Sequence, residues 1–126
     1  MRFVTFVAVL ALIEYLIIGM LTGRARGAYD VKAPATTGHP IFERWYRVQM
    51  NTLEQLIVFL PALFLFAQLV SARWAGWLGL VFVIGRAVYA RSYVADPGSR
   101  SLGFGLSFIP SVIMVLGVLL ATVFGH

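Results

Sequence analysis

The chain of 126 residues contains no cysteine. Structural disulfides, thiolate-bound metals and a protein thiol nucleophile are therefore excluded. Histidine is nearly as scarce. His39 falls in a predicted loop and His126 at the terminus, so no metal centre is expected. Charge is the third shortage: 12% of residues are charged against 60% hydrophobic, and mean hydropathy is +0.88. A soluble domain typically carries about twice that charged fraction. One domain at most fits this length, and it reads as an all-α integral membrane protein. The net charge of +5 does not indicate nucleic acid, because the basic residues are scattered between apolar runs and form no solvated patch.

Long apolar runs are what the chain does have. A bilayer core needs about 20 helical residues, and four segments qualify, at about residues 3–22, 46–71, 74–94 and 102–124. The first is read as a retained helix rather than a signal peptide, being long and interrupted by Glu14. Residues 23–41 are rich in Gly, Pro and Thr and cannot span. The stretch "SARW" at 71–74 is read as a tight turn, and "VADPGSRS" at 94–101 carries a Pro-Gly turn signal. Arg24, Arg26, Lys32, Arg44, Arg47, Arg86, Arg91 and Arg100 lie at or near the 1–2 and 3–4 connections; Arg2 and Arg73 lie toward the other face. The positive-inside rule makes those two connections cytoplasmic and both termini external. Pro61 and Pro110 are expected to kink their helices, and Gly103, Gly105 and Gly117 to permit close helix contact.

Polar residues inside spans are costly, so their positions inform. Arg47, Asn51 and Glu54 follow i, i+4, i+7 and share roughly 60° of helical arc. Arg86, Tyr89 and Tyr93 make a second stripe on the next span. The two stripes sit at matching depth and can face one cavity, with Arg100 close enough to hang over it. Arg47, Arg86 and Arg100 there oppose one acid, Glu54. That surplus of guanidinium invites an external anion, since arginine's fork suits carboxylates. Arg44, Arg91, Trp45 and Trp74 read instead as snorkelling or interfacial-belt residues.

The stretches "TTGHP", "FERWYRVQMNTLE" and "GLVFVIGRAVYARSY", followed by Arg100, resemble the membrane-associated proteins in eicosanoid and glutathione metabolism, the MAPEG family. The likeness runs from about Arg26 to Arg100 and is nearest to the short bacterial, glutathione transferase-like members. It implies a homotrimer of four-helix subunits that binds glutathione at subunit interfaces, in this case in a bacterial inner membrane. Arg47, Asn51, Glu54, Arg86, Tyr89 and Tyr93 match the family's glutathione-binding positions. Arg26 and Gln49 match residues that reach the neighbouring subunit's site, and Gln49 lies about 200° from Arg47 around its helix. Arg100 matches the arginine that stabilises the glutathione thiolate. Gln55 stands where leukotriene-making members carry tyrosine, and Gly27 where they carry a second arginine, which weakens any leukotriene assignment.

The resemblance implies attack by the glutathione thiolate on a hydrophobic electrophile drawn from membrane lipid, or reduction of a lipid hydroperoxide. Arg91 and the two tyrosines remain alternatives to Arg100 for activating the thiol. Two other functions compete with an enzyme. A non-catalytic lipid-binding scaffold of the same family is one, against which Arg47 and Glu54 both argue. A small transporter using Glu14 is the other; four short helices without a repeat leave it little room. Glu14 is expected to face a neighbouring helix, hydrogen-bonded or protonated inside the oligomer.

Overall fold

The structure is a computed structural model that describes residues 1–125; His126 lies outside the described residues. Four helices follow one another: α1 (Arg2–Ala28), α2 (Pro40–Leu69), α3 (Ala72–Ala95) and α4 (Ser101–Phe124). A short 3₁₀ turn, Pro97–Ser99, precedes α4. All four are long and apolar enough to cross a membrane. Large apolar side chains such as Phe6, Leu16, Met20, Ile57, Leu102 and Phe124 are exposed along them. Bands of that kind suit lipid and not water.

The helix boundaries differ from the hydropathy estimates except at the end of α4, and the larger differences have local causes. Helix α1 does not stop at residue 22, because Gly23 to Ala28 remains compatible with a helix that has left the apolar layer. It ends at Ala28 with Tyr29 as its C-cap, followed by Asp30 at φ 53°, a left-handed conformation that Asp tolerates. Helix α2 begins at Pro40, six residues before the apolar run. Proline suits the first helical position, and His39 Nδ1 accepts from the Ile41 amide at 3.1 Å. The α2–α3 connection is Val70–Ser71 rather than four residues. Ser71 Oγ accepts the Trp74 amide at 3.2 Å, so Ala72 is already helical. Asp96 Oδ1 accepts from Gly98 at 3.1 Å and forms the turn before α4.

The core lies toward the end of the bundle that holds the short α2–α3 turn. Val4, Val7 and Ala11 of α1 meet Phe59, Leu63 and Phe66 of α2, Phe82 of α3 and Met114 of α4. The Phe59 and Phe82 rings stack at 3.8 Å. Buried hydroxyls satisfy themselves on their own helices, as with Thr52 on Val48 O at 2.7 Å and Ser107 on Gly103 O at 3.1 Å. Helices α2 and α4 continue through Pro61 and Pro110.

Helices α3 and α4 approach closely at two glycines. A Cβ on Gly85 would stand 2.7 Å from the Ser107 backbone nitrogen, and one on Gly103 would fall on the Tyr89 backbone. Gly117 similarly admits Phe66, whereas Gly105 opens on free space and makes no close contact, contrary to expectation. The Gly103 contact sets where Tyr89 stands. Gly103→Ala is therefore expected to lower stability by about 1–3 kcal/mol, the usual range for overpacking. Thermal unfolding in detergent checks this, with Gly105→Ala as the control that leaves the melting temperature unchanged.

Candidate functional site

At the opposite end of the bundle, the start of α2, the end of α3 and the start of α4 enclose a cavity of about 540 Å³. Its walls are Arg47, Asn51 and Glu54 from α2, Tyr89 and Tyr93 from α3, and Arg100 and Phe104 at the head of α4. The helical spacing explains the first two groups, since side chains three or four residues apart share a face. Arg100 arrives by a different route. The Asp96 turn reverses the chain, and Arg100 Nη1 donates to Pro97 O at 2.7 Å, holding the guanidinium at the cavity rim.

Arg86 does not line the cavity wall; it lies directly behind it. Its side chain is 0% exposed, the largest fully buried side chain of the described residues. Nη1 donates to Asn51 Oδ1 at 2.8 Å, and the guanidinium carbon sits 4.2 Å from the centre of the Tyr89 ring. Arginine can only donate, so the carbonyl oxygen of Asn51 must face it. The Asn51 amide nitrogen is then left to donate elsewhere. Tyr89 continues the stack, 5.6 Å from the Tyr93 ring and 6.3 Å from Phe104. One buried arginine thus fixes a neutral donor and an aromatic wall together.

Two residues singled out by resemblance stand elsewhere. Arg26, at the end of α1, donates through Nη1 to Ala35 O at 2.8 Å and Val31 O at 3.3 Å, with its guanidinium over the Phe42 ring at 4.6 Å. Within its own chain it ties down the α1–α2 connection. Gln49 projects toward α1, with Nε2 3.4 Å from where a Gly19 Cβ would be, and so points away from the cavity. Arg91 opens on the other side of α3, in an apolar groove that it shares with Glu14 and Trp45. Arg44 is not a free snorkelling side chain: Nη1 donates to Val94 O at 2.9 Å, satisfying an orphan carbonyl at the end of α3.

Phe104 and Glu14 were not assigned to the site from sequence. Phe104 follows Arg100 by one helical turn, and that spacing at the head of α4 is the signal that places it on the cavity side. Glu14 lines the apolar groove between α1 and α3, and its Oε1 is buried without a hydrogen-bond partner.

Four apolar helices around a cationic, aromatic-walled cavity at one end define a multi-pass integral membrane protein with a built polar site. The chain belongs to the MAPEG family, whose match covers residues 4–120. It is 46% identical over 115 residues to an uncharacterised protein of Synechocystis, covering 91% of this chain and 84% of that one. It is also 34% identical over 114 residues to human microsomal glutathione S-transferase 2, covering 90% and 78%. Bovine leukotriene C4 synthase is 37% identical over 76 residues, which is 60% of this chain and 51% of that enzyme.

Proposed function

We propose that this protein is a membrane-bound glutathione transferase. The observation that carries the reading is the cavity itself, which gathers two rim arginines, an amide donor, two tyrosines and one carboxylate in about 540 Å³. That volume suits a small ligand. Glutathione has carboxylates for Arg47 and Asn51, an ammonium for Glu54, and a thiol for the region under Arg100. The microsomal transferase likeness supports the same ligand.

Arg100 is the catalytic residue in this proposal. Its guanidinium lowers the energy of the thiolate relative to the thiol. The thiolate sulfur then bonds to the carbon of a hydrophobic electrophile and expels its leaving group, or it attacks the terminal oxygen of a lipid hydroperoxide, breaking the O–O bond to leave the lipid alcohol and a glutathione sulfenic acid, which a second glutathione thiol converts to the disulfide and water. The apolar substrate enters from lipid by a cleft of about 220 Å³ between α2 and α4, lined by Val58, Phe108 and Ser111 among others. Phe108 stacks at 5.4 Å on Phe104, which joins the cleft to the cavity.

The working unit is a homotrimer. Arg47 and Glu54 are exposed in the single chain although they lie on membrane-spanning α2. Charged side chains facing lipid are costly, and an adjoining subunit removes that cost. Arg26 and Gln49 complete the neighbour's site. The connections that carry most of the arginines face the cytoplasm, in a bacterial inner membrane.

The test is turnover of a chloronitrobenzene and of an organic hydroperoxide by the purified chain, with and without glutathione. Glutathione-dependent conjugation is expected. A scaffold protein gives neither reaction, and that result overturns the assignment.

A further inference from the structure

The chemistry above leaves two buried groups unused. Nε and Nη2 of Arg86 are buried without hydrogen-bond partners, and so is Oε1 of Glu14. Each is costly alone, since an unpartnered buried charge destabilises strongly. Together they are complementary, one offering donors and the other an acceptor. They sit on α1 and α3, which pack together side by side in the same direction: Val7 packs on Gly79, and Glu14 and Arg86 each stand seven residues further along. Glu14 is the only acid on α1, and Ile13, Ile17 and Ile18 line the same groove, so water has little claim on its carboxylate.

We propose that Glu14 is a positioning residue. Its carboxylate is the counter-ion of Arg86, and by holding Arg86 it sets the Asn51 amide as a donor into the cavity. The chain of dependence runs from α1 through the buried guanidinium to Asn51 Oδ1, 2.8 Å from Arg86 Nη1. Glu14 also alters the charge around the ligand. Three guanidiniums, those of Arg47, Arg86 and Arg100, now face two carboxylates, Glu14 and Glu54. The single net positive charge equals in size the net charge of glutathione in its thiol form. The ligand half of this proposal rests on the glutathione reading; the pairing half does not.

The experiment uses the full chain in detergent, as Glu14→Leu, Glu14→Gln, Arg86→Leu and the Glu14→Leu/Arg86→Leu double variant. Melting temperatures without glutathione test the pair. Each leucine variant should melt lower than the parent, and the double variant should recover most of the loss, because an apolar pair can replace a buried ion pair. Additive losses overturn the pairing. Glutathione titration tests the consequence: Glu14→Leu should weaken affinity about 10- to 100-fold, the scale of a charge-assisted hydrogen bond. Turnover at saturating glutathione should hardly change, because Arg100 is untouched. Glu14→Gln, which keeps an acceptor oxygen, should recover part of the affinity and stays informative where leucine prevents folding. Unchanged affinity in both Glu14 variants overturns the positioning role. Should the parent chain bind no glutathione, the ligand reading fails while the melting cycle still judges the pair.

Discussion

Arg86→Leu is expected to abolish measurable glutathione binding, with affinity falling about 100-fold or more. The same change is expected to cost about 3 kcal/mol or more of stability, as for other broken buried charge networks. The guanidinium is 0% exposed, donates to Asn51 Oδ1 at 2.8 Å and covers the Tyr89 ring at 4.2 Å. Leucine fills part of the space but releases the Asn51 amide to rotate, and the cavity loses a fixed donor. Arg86→Lys separates charge from geometry. A lysine keeps the charge but lacks the planar fork needed to bond Asn51 while stacking on Tyr89. It should retain more stability than leucine and still bind glutathione at least about tenfold more weakly. Calorimetric titration and thermal unfolding read the two effects separately. Parental affinity in the lysine variant would show that charge alone matters.

Arg100→Ala should produce the opposite division. Glutathione binding is expected to change little, since Arg47 and Asn51 keep their places on α2. Turnover is expected to fall roughly 25-fold at pH 7 if the rim cation holds the thiol about two units below its unperturbed value, since the thiolate fraction then drops from about 76% to about 3%. The sign of the pH effect follows. Without the cation the bound thiol titrates nearer its unperturbed value of about 8.5, so the rising limb of the rate profile moves to higher pH and alkaline buffer restores part of the activity. Steady-state rates from pH 6 to pH 10 measure this. An unchanged profile would remove Arg100 from the chemistry and return attention to Tyr89 and Tyr93, whose rings line the same cavity.

Much of this arrangement was legible in the sequence because apolar spans and helical spacing are both local signals. Arg47, Asn51 and Glu54 could be assigned to one face of α2 from their separation alone, and the α3 stripe likewise. Helix ends were less legible: hydropathy registers where the bilayer begins, whereas α2 begins where His39 and Pro40 cap it. The charge count around the cavity was also incomplete. Spacing along α2 and α3 says nothing of α1, so Glu14, which packs in from α1, was absent from the tally until the helices were assembled. Arg86 illustrates the same limit. Its stripe placed it toward the cavity, but its burial behind Asn51 depends on how α2 packs on α3, which spacing along one helix does not state.

The most direct trial is a calorimetric titration of the purified chain with glutathione and, in parallel, with its dimethyl ester. Saturable uptake of the free tripeptide, with the uncharged-carboxyl ester binding at least tenfold more weakly, is expected if guanidinium groups in the cavity recognise carboxylates. Equal binding of the two compounds, or uptake of neither, would contradict the assignment of this cavity.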